Sequence, residues 1–332
     1  MTAAAVPYAM AFGAYDEAKT FLGAPMPPQT GDLPVNVATI RQFCGLVEDA
    51  NPSYWDADVA ARCWGDVISP PAMLLTWGLA LDWKPGGGLA QPPLCLRVPL
   101  PGNTAVNVSQ AAEFAGPILV GEQLSMTEEL VDLSEERRTR LGAGHFVTTR
   151  ATFRRPDASV AGHLTNVLLR FTADRSTAPE PAGRSGRAPN GAAPESRSRP
   201  HSQVHQRLPG YELAVPYRKV VTSPAATLDY FPVFYDTAYA RAQGLPGVIV
   251  NTMVLLGLAD RLVTDWAGPA TFVAGHQLTV IAPVCAGDTV AVRGCIRSRQ
   301  AGLVTVDVEI LRRERDSETL CGKAAVTARV AP

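Results

Sequence analysis

The chain repeats itself. The segment EDANPSYWDADVAARCWGDVISPPAMLLTWGLALDW, starting at Glu48, returns as LDYFPVFYDTAYARAQGLPGVIVNTMVLLGLADRLVTDW, starting at Leu228. Asp49, Pro52 and Asp56 fall on Asp229, Pro232 and Asp236 at one constant offset, and Val67-Ile68 falls on Val248-Ile249 one residue later. Further on, Pro117 and Gly121 of AGPILVGEQL match Pro283 and Gly287 of APVCAGDTV at a single offset, and GAGHFVTTRATFRR ends on the same Arg-Arg as QAGLVTVDVEILRR. Landmarks repeated in one order mark a duplication, so the chain is expected to be a fused pseudo-dimer. Between the copies, residues 174–206 are rich in Pro, Ser, Gly, Ala and Arg and offer almost nothing to bury. Such a segment cannot offset its ordering entropy and reads as a flexible linker. The expected organisation is a domain over 1–173, a linker over 174–206 and a second domain over 207–332.

Periodicity gives the content of one copy. MVLLGLADRLVTDW is apolar over most of its circumference and meets charges only late, the mark of a largely buried helix. Before it, a loop and a short helix from Asp236 to Gln243 end at the turn signal Gly244-Leu245-Pro246-Gly247. After it come FVAGHQLTVIAP, DTVAVRGCIRSR, GLVTVDVEILRR and GKAAVTARVA, which alternate apolar and polar residues and read as antiparallel strands. A long buried helix followed by four strands requires the sheet to wrap the helix, which is the hotdog arrangement. The expected fold is α+β, a double hotdog of two repeats, each with a long buried helix wrapped by an antiparallel sheet. The two sheets are expected to continue edge to edge, which removes exposed edges.

Composition narrows the function classes. The 332 residues carry a formal net charge of −1, with 46% hydrophobic and 18% charged residues. That is ample for a core and offers no global field to attract nucleic acid or an anionic membrane. Cys44, Cys63, Cys95, Cys285, Cys295 and Cys321 show no CxxC and no metal-like spacing with histidine. They read as small buried hydrophobes in a reducing compartment. The N-terminal MTAAAVPYAMAFGAYDEAKTF lacks a basic start and soon meets Asp16 and Glu17, against a secretory signal. No apolar run is long enough to span a bilayer, so a cytoplasmic protein is expected. No nucleotide, phosphate-loop, zinc-protease or serine-hydrolase motif is present, and no cofactor or metal is expected. Gly86-Gly87-Gly88 reads as a loop, and RRTR and RRER read as solvated strand ends.

In these motifs the sequence resembles the MaoC-like hydratase and dehydratase family over nearly the whole chain apart from the linker. The first half does so through EDANPSYWD, ISPPAML and RTRLGAGHFVTTRATF, the second through DYFPVFYDTAYARAQGLPGVIVN and IAPVCAGDTV. The resemblance implies action on a trans-2-enoyl thioester of coenzyme A or an acyl carrier protein. In such hydratases a loop Asp-x-Asn-Pro-x-His holds the water, and an amide end at the buried helix polarises the thioester carbonyl. In the second half, Asp229 keeps the acid and Pro232 the turn, while Phe231 stands at the Asn position and Phe234 at the His position. Asn251 occupies a further His position of the family at the helix start. In the first half, Asp49, Asn51 and Pro52 fit, and Tyr54 takes the His slot. Neither half carries the complete dyad, and a phenyl ring transfers no proton.

The candidate catalytic residues are therefore Asp229, Asn251 and His276, the last as a displaced base that could approach the helix start. Asp229 could instead cap its loop, and His276 could be a hydrogen-bonded strand residue. Tyr230, Phe231, Phe234 and Tyr235, with Asp49, Asn51, Tyr54 and His145, are the candidate substrate-binding residues. His163 reads as a strand residue facing solvent or a cross-strand partner, and His201 and His205 as solvated linker residues. Asp236 is expected to start the short helix. A thioesterase-type hotdog is disfavoured because the motif order follows hydratases, and two functions remain open. One is a divergent lyase acting by dehydration, hydration or a related isomerisation or cyclisation, on an acyl-CoA, an acyl-carrier-protein thioester or a released polyketide. The other is a non-catalytic binding protein or a supporting subunit of a dyad-bearing hydratase. Expected assemblies are a homodimer or a hetero-oligomer with another hotdog protein.

Overall fold

A computed structural model describes residues 10–86, 88–89, 91–172 and 203–330. The first half runs α1 (Tyr15–Lys19), β1 (Gln29–Thr30), α2 (Val37–Val47), α3 (Pro52–Trp55), α4 (Ala57–Trp64), a hairpin of β2 (Trp83–Lys84) and β3 (Gly88–Leu89), and α5 (Leu94–Arg97). Its strands follow: β4 (Thr104–Phe114), β5 (Ser125–Leu133), β6 (Arg137–Thr139), β7 (Gly142–Arg154) and β8 (Val160–Phe171). The second half runs β9 (Gln203–Arg207), β10 (Tyr211–Ala214), α6 (Tyr217–Thr227), α7 (Thr237–Ala242) and α8 (Thr252–Ala267). It ends in β11 (Phe272–Val280), β12 (Thr289–Gln300), β13 (Leu303–Arg313) and β14 (Glu318–Arg329).

The duplication is visible bond by bond. The Val120 N–H donates to Val67 O at 2.9 Å, and Ala286 N–H to Val248 O at 3.1 Å. Ser69 N–H donates to Ile118 O, and Val250 N–H to Val284 O. Gly121 N–H donates to Val35 O, and Gly287 N–H to Val215 O. Helices α2 and α6 end alike, on Glu48 and Leu228 in the left-handed region at φ 55° and 54°. Asp56 and Asp236 then cap α4 and α7, each accepting two backbone N–H bonds.

One antiparallel sheet serves both halves, in the order β1-β5-β7-β8-β4-β11-β14-β13-β12-β10, with β6 against β7 and β9 against β12. The halves join where β4 pairs β11, from Ser109 opposite Thr279 to Glu113 opposite Gly275. Helix α8 lies in the curve of this sheet, buried along nearly its whole length. Gly257 brings it against α2, since a Cβ there would meet the Phe43 ring at 2.8 Å. Helices α2 and α6 pack on each other antiparallel, with Glu48 at the end of α2 paired to Lys219 at the start of α6.

Two expectations are corrected. The first half has no counterpart of α8: the matching PPAMLLTWG forms two short 3-10 turns, Pro71–Met73 and Leu75–Gly78. Pro70 and Pro71 open the segment, and the chain turns extended at Leu79, so apolar density alone did not make a helix. Residues 203–206, read as the end of the linker, belong to β9 and pair with β12. The rest of that segment, His201 included, lies outside the described residues.

Candidate active site

The second half's loop begins where α6 stops. Left-handed Leu228 turns the chain out of the helix, and Thr227, just before it, is held by Asn251 at the start of α8. The Asn251 Nδ2 donates to Thr227 Oγ1 at 2.9 Å, while its Oδ1 accepts the Val254 N–H at 3.0 Å. Both ends of that amide are thus engaged in capping α8 and tying it to α6. The N–H groups of Thr252 and Met253 remain as first-turn donors without an intrahelical partner. Asn107 of β4 reaches the same helix end, its Nδ2 donating to Thr252 Oγ1 at 3.4 Å.

Asp229 follows two residues after Thr227. It keeps some accessible surface, yet it sits deep enough that burial pushes its carboxyl up to about 6, opposed only by the Phe231 N–H. That bond is long, 3.4 Å to Oδ1. Cys95 lies within range of its charge, and its thiol is pushed up to about 12, first by burial. A carboxyl that is half-protonated near pH 6 can both accept and donate a proton close to neutrality.

The aromatic residues after Asp229 divide between two apolar clusters. Tyr230 and Phe231 pack against the first half's cluster of Leu94, Leu100, Leu130, Val147 and Leu168. Phe234 is buried with Val233 and Ala240, its ring edge-on to Phe231 at 6.3 Å. Phe231 also meets Tyr239 at 5.9 Å. Tyr230 and Tyr235 are both raised, first by burial and then by the charge of Asp82. The aromatic turn therefore bridges the halves around Asp229.

The first half's loop lies elsewhere. Because α2 and α6 run antiparallel, Asp49 sits at the opposite end of an 11-residue helix from Asp229, a separation of about 16 Å. Its oxygen accepts the Asn51 N–H at 2.9 Å, Asn51 Oδ1 accepts the Ser53 N–H at 3.0 Å, and Trp55 Nε1 donates to Asp49 O at 2.8 Å. Burial pushes Asp49 up to about 6 as well, the Asn51 N–H opposing it. Tyr54 is buried, which raises its phenol well above its ordinary range. This loop faces the later turns of α8, where Arg261 donates to Val47 O at 2.8 Å.

His276 does not reach the helix start. Strand β11 begins just past the C-terminal end of α8, so His276 returns only partway and meets Asp260, with Nδ1 3.0 Å from each carboxylate oxygen. Asp260 stands nine residues after Asn251, or about 13 Å along the helix. His145 bonds Ser134 O at 3.0 Å and stacks on Tyr15 at 4.9 Å, a structural position. His163 pairs across strands with Thr152 Oγ1 at 3.1 Å. Of the sequence candidates, then, Asp229, Asn251 (through Thr227) and the Tyr230–Tyr235 turn come together, while Asp49, Asn51, Tyr54 and His276 do not join them. His145 approaches only through Tyr15, which packs on the same cluster as Tyr230 and Phe231.

Sequence reasoning missed the polar residues on the concave face of the first half's sheet. Asn107, Gln110, Asn166 and Arg170 read as ordinary alternation in TAVNVSQAAEF and VAGHLTNVLLRF, but the register of β4 and β8 turns them inward. Arg170 is fully buried, donating to Ala11 O, Leu100 O and Gly102 O, with its second terminal nitrogen unpartnered among the described residues. Among the described residues no cluster of ligating side chains could hold a metal ion, and no helix is long and apolar enough to cross a membrane.

Known proteins share this arrangement. The profile of the FAS1-like dehydratase domain region matches residues 20–162, and that of the MaoC-like domain matches residues 205–314. A probable enoyl-CoA hydratase alpha subunit of Thermomonospora curvata is 33% identical over 153 residues, covering 43% of this chain and 47% of the relative. The 3-oxo-4,17-pregnadiene-20-carboxyl-CoA hydratase beta subunit of Mycobacterium tuberculosis is 38% identical over 89 residues, covering 27% of this chain and 69% of the relative. This chain spans about half the length of the alpha subunits it matches. A solved MaoC-like dehydratase superposes with a TM-score of 0.70 at 21% identity, covering 95% of this chain and all of the other. A double-hotdog protein of Mycobacterium tuberculosis superposes with a TM-score of 0.66 at 14% identity, over 96% and 98% of the two chains. The duplicated hotdog, its two loops and these matches together place the chain in the MaoC-like hydratase and dehydratase family.

Proposed function

We propose that the chain is a divergent lyase that binds an acyl thioester between its halves and moves a proton at the carbons next to the thioester, with Asp229 as the acid and base. One observation carries this reading: a deep but accessible carboxyl, pushed up to about 6, follows two residues after Thr227, which the Asn251 cap of α8 holds. The thioester carbonyl oxygen would accept from the Thr252 and Met253 N–H groups, where charge developing on it is stabilised. Ionised Asp229 would take a proton from water as the oxygen bonds to the β-carbon, then return that proton to the α-carbon as the enolate collapses. Dehydration is the same path reversed. One carboxyl performing both transfers needs no histidine, and Asn251 positions the helix end rather than reacting.

The assay is turnover of trans-2-enoyl thioesters of coenzyme A and of an acyl carrier protein, by wild type and Asp229→Asn. Loss of turnover of at least a hundredfold in the variant is expected. Retention of full activity overturns the assignment.

A second reading has its own observation. Phe234, at the position where the family's base stands, is enclosed in an apolar cluster with Val233, Ala240 and Tyr239, which suits a non-catalytic partner of a dyad-bearing hydratase. The relatives named as alpha and beta subunits favour such an assembly. Co-purification with a hydratase whose rate this chain raises, with no turnover by the chain alone, would select it. Both readings fit a cytoplasmic protein of lipid or polyketide metabolism.

A further inference from the structure

Three buried side-chain oxygens on the concave face of the first half's sheet, Asn107 Oδ1, Gln110 Oε1 and Asn166 Oδ1, have no hydrogen-bond partner among the described residues. Register brings them together. Gln110 lies opposite Asn166 across β4 and β8, and Asn166 lies opposite Thr149 across β8 and β7. Asn107 lies opposite Leu168, the next inward position along the same face, past an irregularity at Val108. The rows on either side are apolar, with Ala112, Leu164 and Ala151 on one flank and Leu168 and Val147 on the other. Neither Gln110 nor Asn166 makes any side-chain hydrogen bond among the described residues. A buried amide oxygen without a partner is destabilising, and several on one face ask for a ligand that supplies donors.

The position says which ligand. Asn107 touches Thr252, the first residue of α8, where the thioester carbonyl stands in the function proposed above. The Gln110–Asn166 row lies one inward step farther, on the order of 7 Å away. The first half sets 3-10 turns where the second has its long helix, so Met73, Leu74 and Trp77 of two short turns, rather than a helix, pack beside this face. The donor must be neutral. Arg170 occupies the same face, opposite Ala105 on β4, and no carboxylate is among its hydrogen-bond partners. An ammonium placed here would add a second cation to a buried face that already holds Arg170. We infer that Asn107, Gln110 and Asn166 form a hydroxyl-recognition site, and that the substrate is an acyl thioester bearing a hydroxyl group several carbons from the carbonyl. This rests on the thioester-binding reading.

The test is calorimetric binding of octanoyl-CoA and ω-hydroxyoctanoyl-CoA to wild type and to the double variant Gln110→Leu, Asn166→Leu. Wild type should bind the hydroxylated thioester about tenfold more tightly, equivalent to about 1.4 kcal/mol. The double variant should bind both alike, with octanoyl-CoA affinity undiminished and a melting temperature at or above that of wild type. If the double variant does not fold, Asn166→Leu alone carries the same comparison. Equal binding of the two thioesters by wild type, or an unchanged preference in the variant, overturns the hydroxyl site while leaving the thioester reading standing. No binding of either thioester by wild type overturns both.

Discussion

Replacing Asp229 by Asn removes one buried ionisable group and keeps its shape. Burial carries this carboxyl from an ordinary 3.8 to about 6, with only the Phe231 N–H opposing. Two pH units at about 1.4 kcal/mol each put the cost of the ionised form near 3 kcal/mol. The accessible surface that the carboxyl keeps reduces this to about 2 kcal/mol. The sign is unusual for an aspartate. Between 3.8 and about 6 the folded chain holds a proton that the unfolded chain has released, so this group's contribution to stability falls as pH rises through that window and is constant above it. Asparagine carries no charge and still accepts from the Phe231 N–H. The variant should match wild type near pH 4 and exceed it by about 2 kcal/mol at pH 8. Urea unfolding at both values measures the difference, and because Asp49 titrates in the same window in both proteins, the comparison isolates Asp229. A variant less stable than wild type at pH 8, or one with the same gain at pH 4, would refute the placement of a buried, poorly solvated carboxyl.

Other perturbations probe the frame around the site. Asn251→Ala removes the α8 cap and the Thr227 tie and should cost about 1–2 kcal/mol, with Asn251→Asp recovering much of it, read from melting temperatures. His276→Ala removes the hydrogen-bond partner of buried Asp260 and should cost about 1–3 kcal/mol. Because the pair lies far from Asp229, the catalytic rate of the folded fraction should remain within about twofold of wild type. Gly257→Ala drives a methyl group into Phe43 and should cost about 1–3 kcal/mol, a direct measure of packing between the halves.

Much of the architecture was legible because duplication is a statement about order, which substitution blurs slowly. Asp49 and Asp229, Pro52 and Pro232, and the Pro…Gly pairs between β4 and β5 and between β11 and β12 mark equivalent places whether or not their neighbours agree. The missing first-half helix was illegible for a physical reason. PPAMLLTWG and NTMVLLGLA have similar apolar density, and only the two prolines and the departure at Leu79 separate 3-10 turns from a helix. His276 misled because adjacency to a helix end was inferred without its direction: β11 starts at the C-terminal end of α8, and four residues of strand do not return to its start. The inward amides were hidden by strand alternation, since Asn107 faces inward only through the irregularity at Val108. Asn251 was singled out correctly as a residue of the helix start, but its two hydrogen bonds give it a positioning role in the proposed chemistry.

The central claim is that one carboxyl, Asp229, handles the proton. The most direct measurement is the pH dependence of kcat/KM on a trans-2-enoyl thioester that the wild-type chain turns over. The account predicts a rate that rises with pH through an inflection near 6 as the carboxyl ionises to accept a proton from water, and that is lost in Asp229→Asn. A flat profile across that range, or an inflection that survives in the variant, would contradict it.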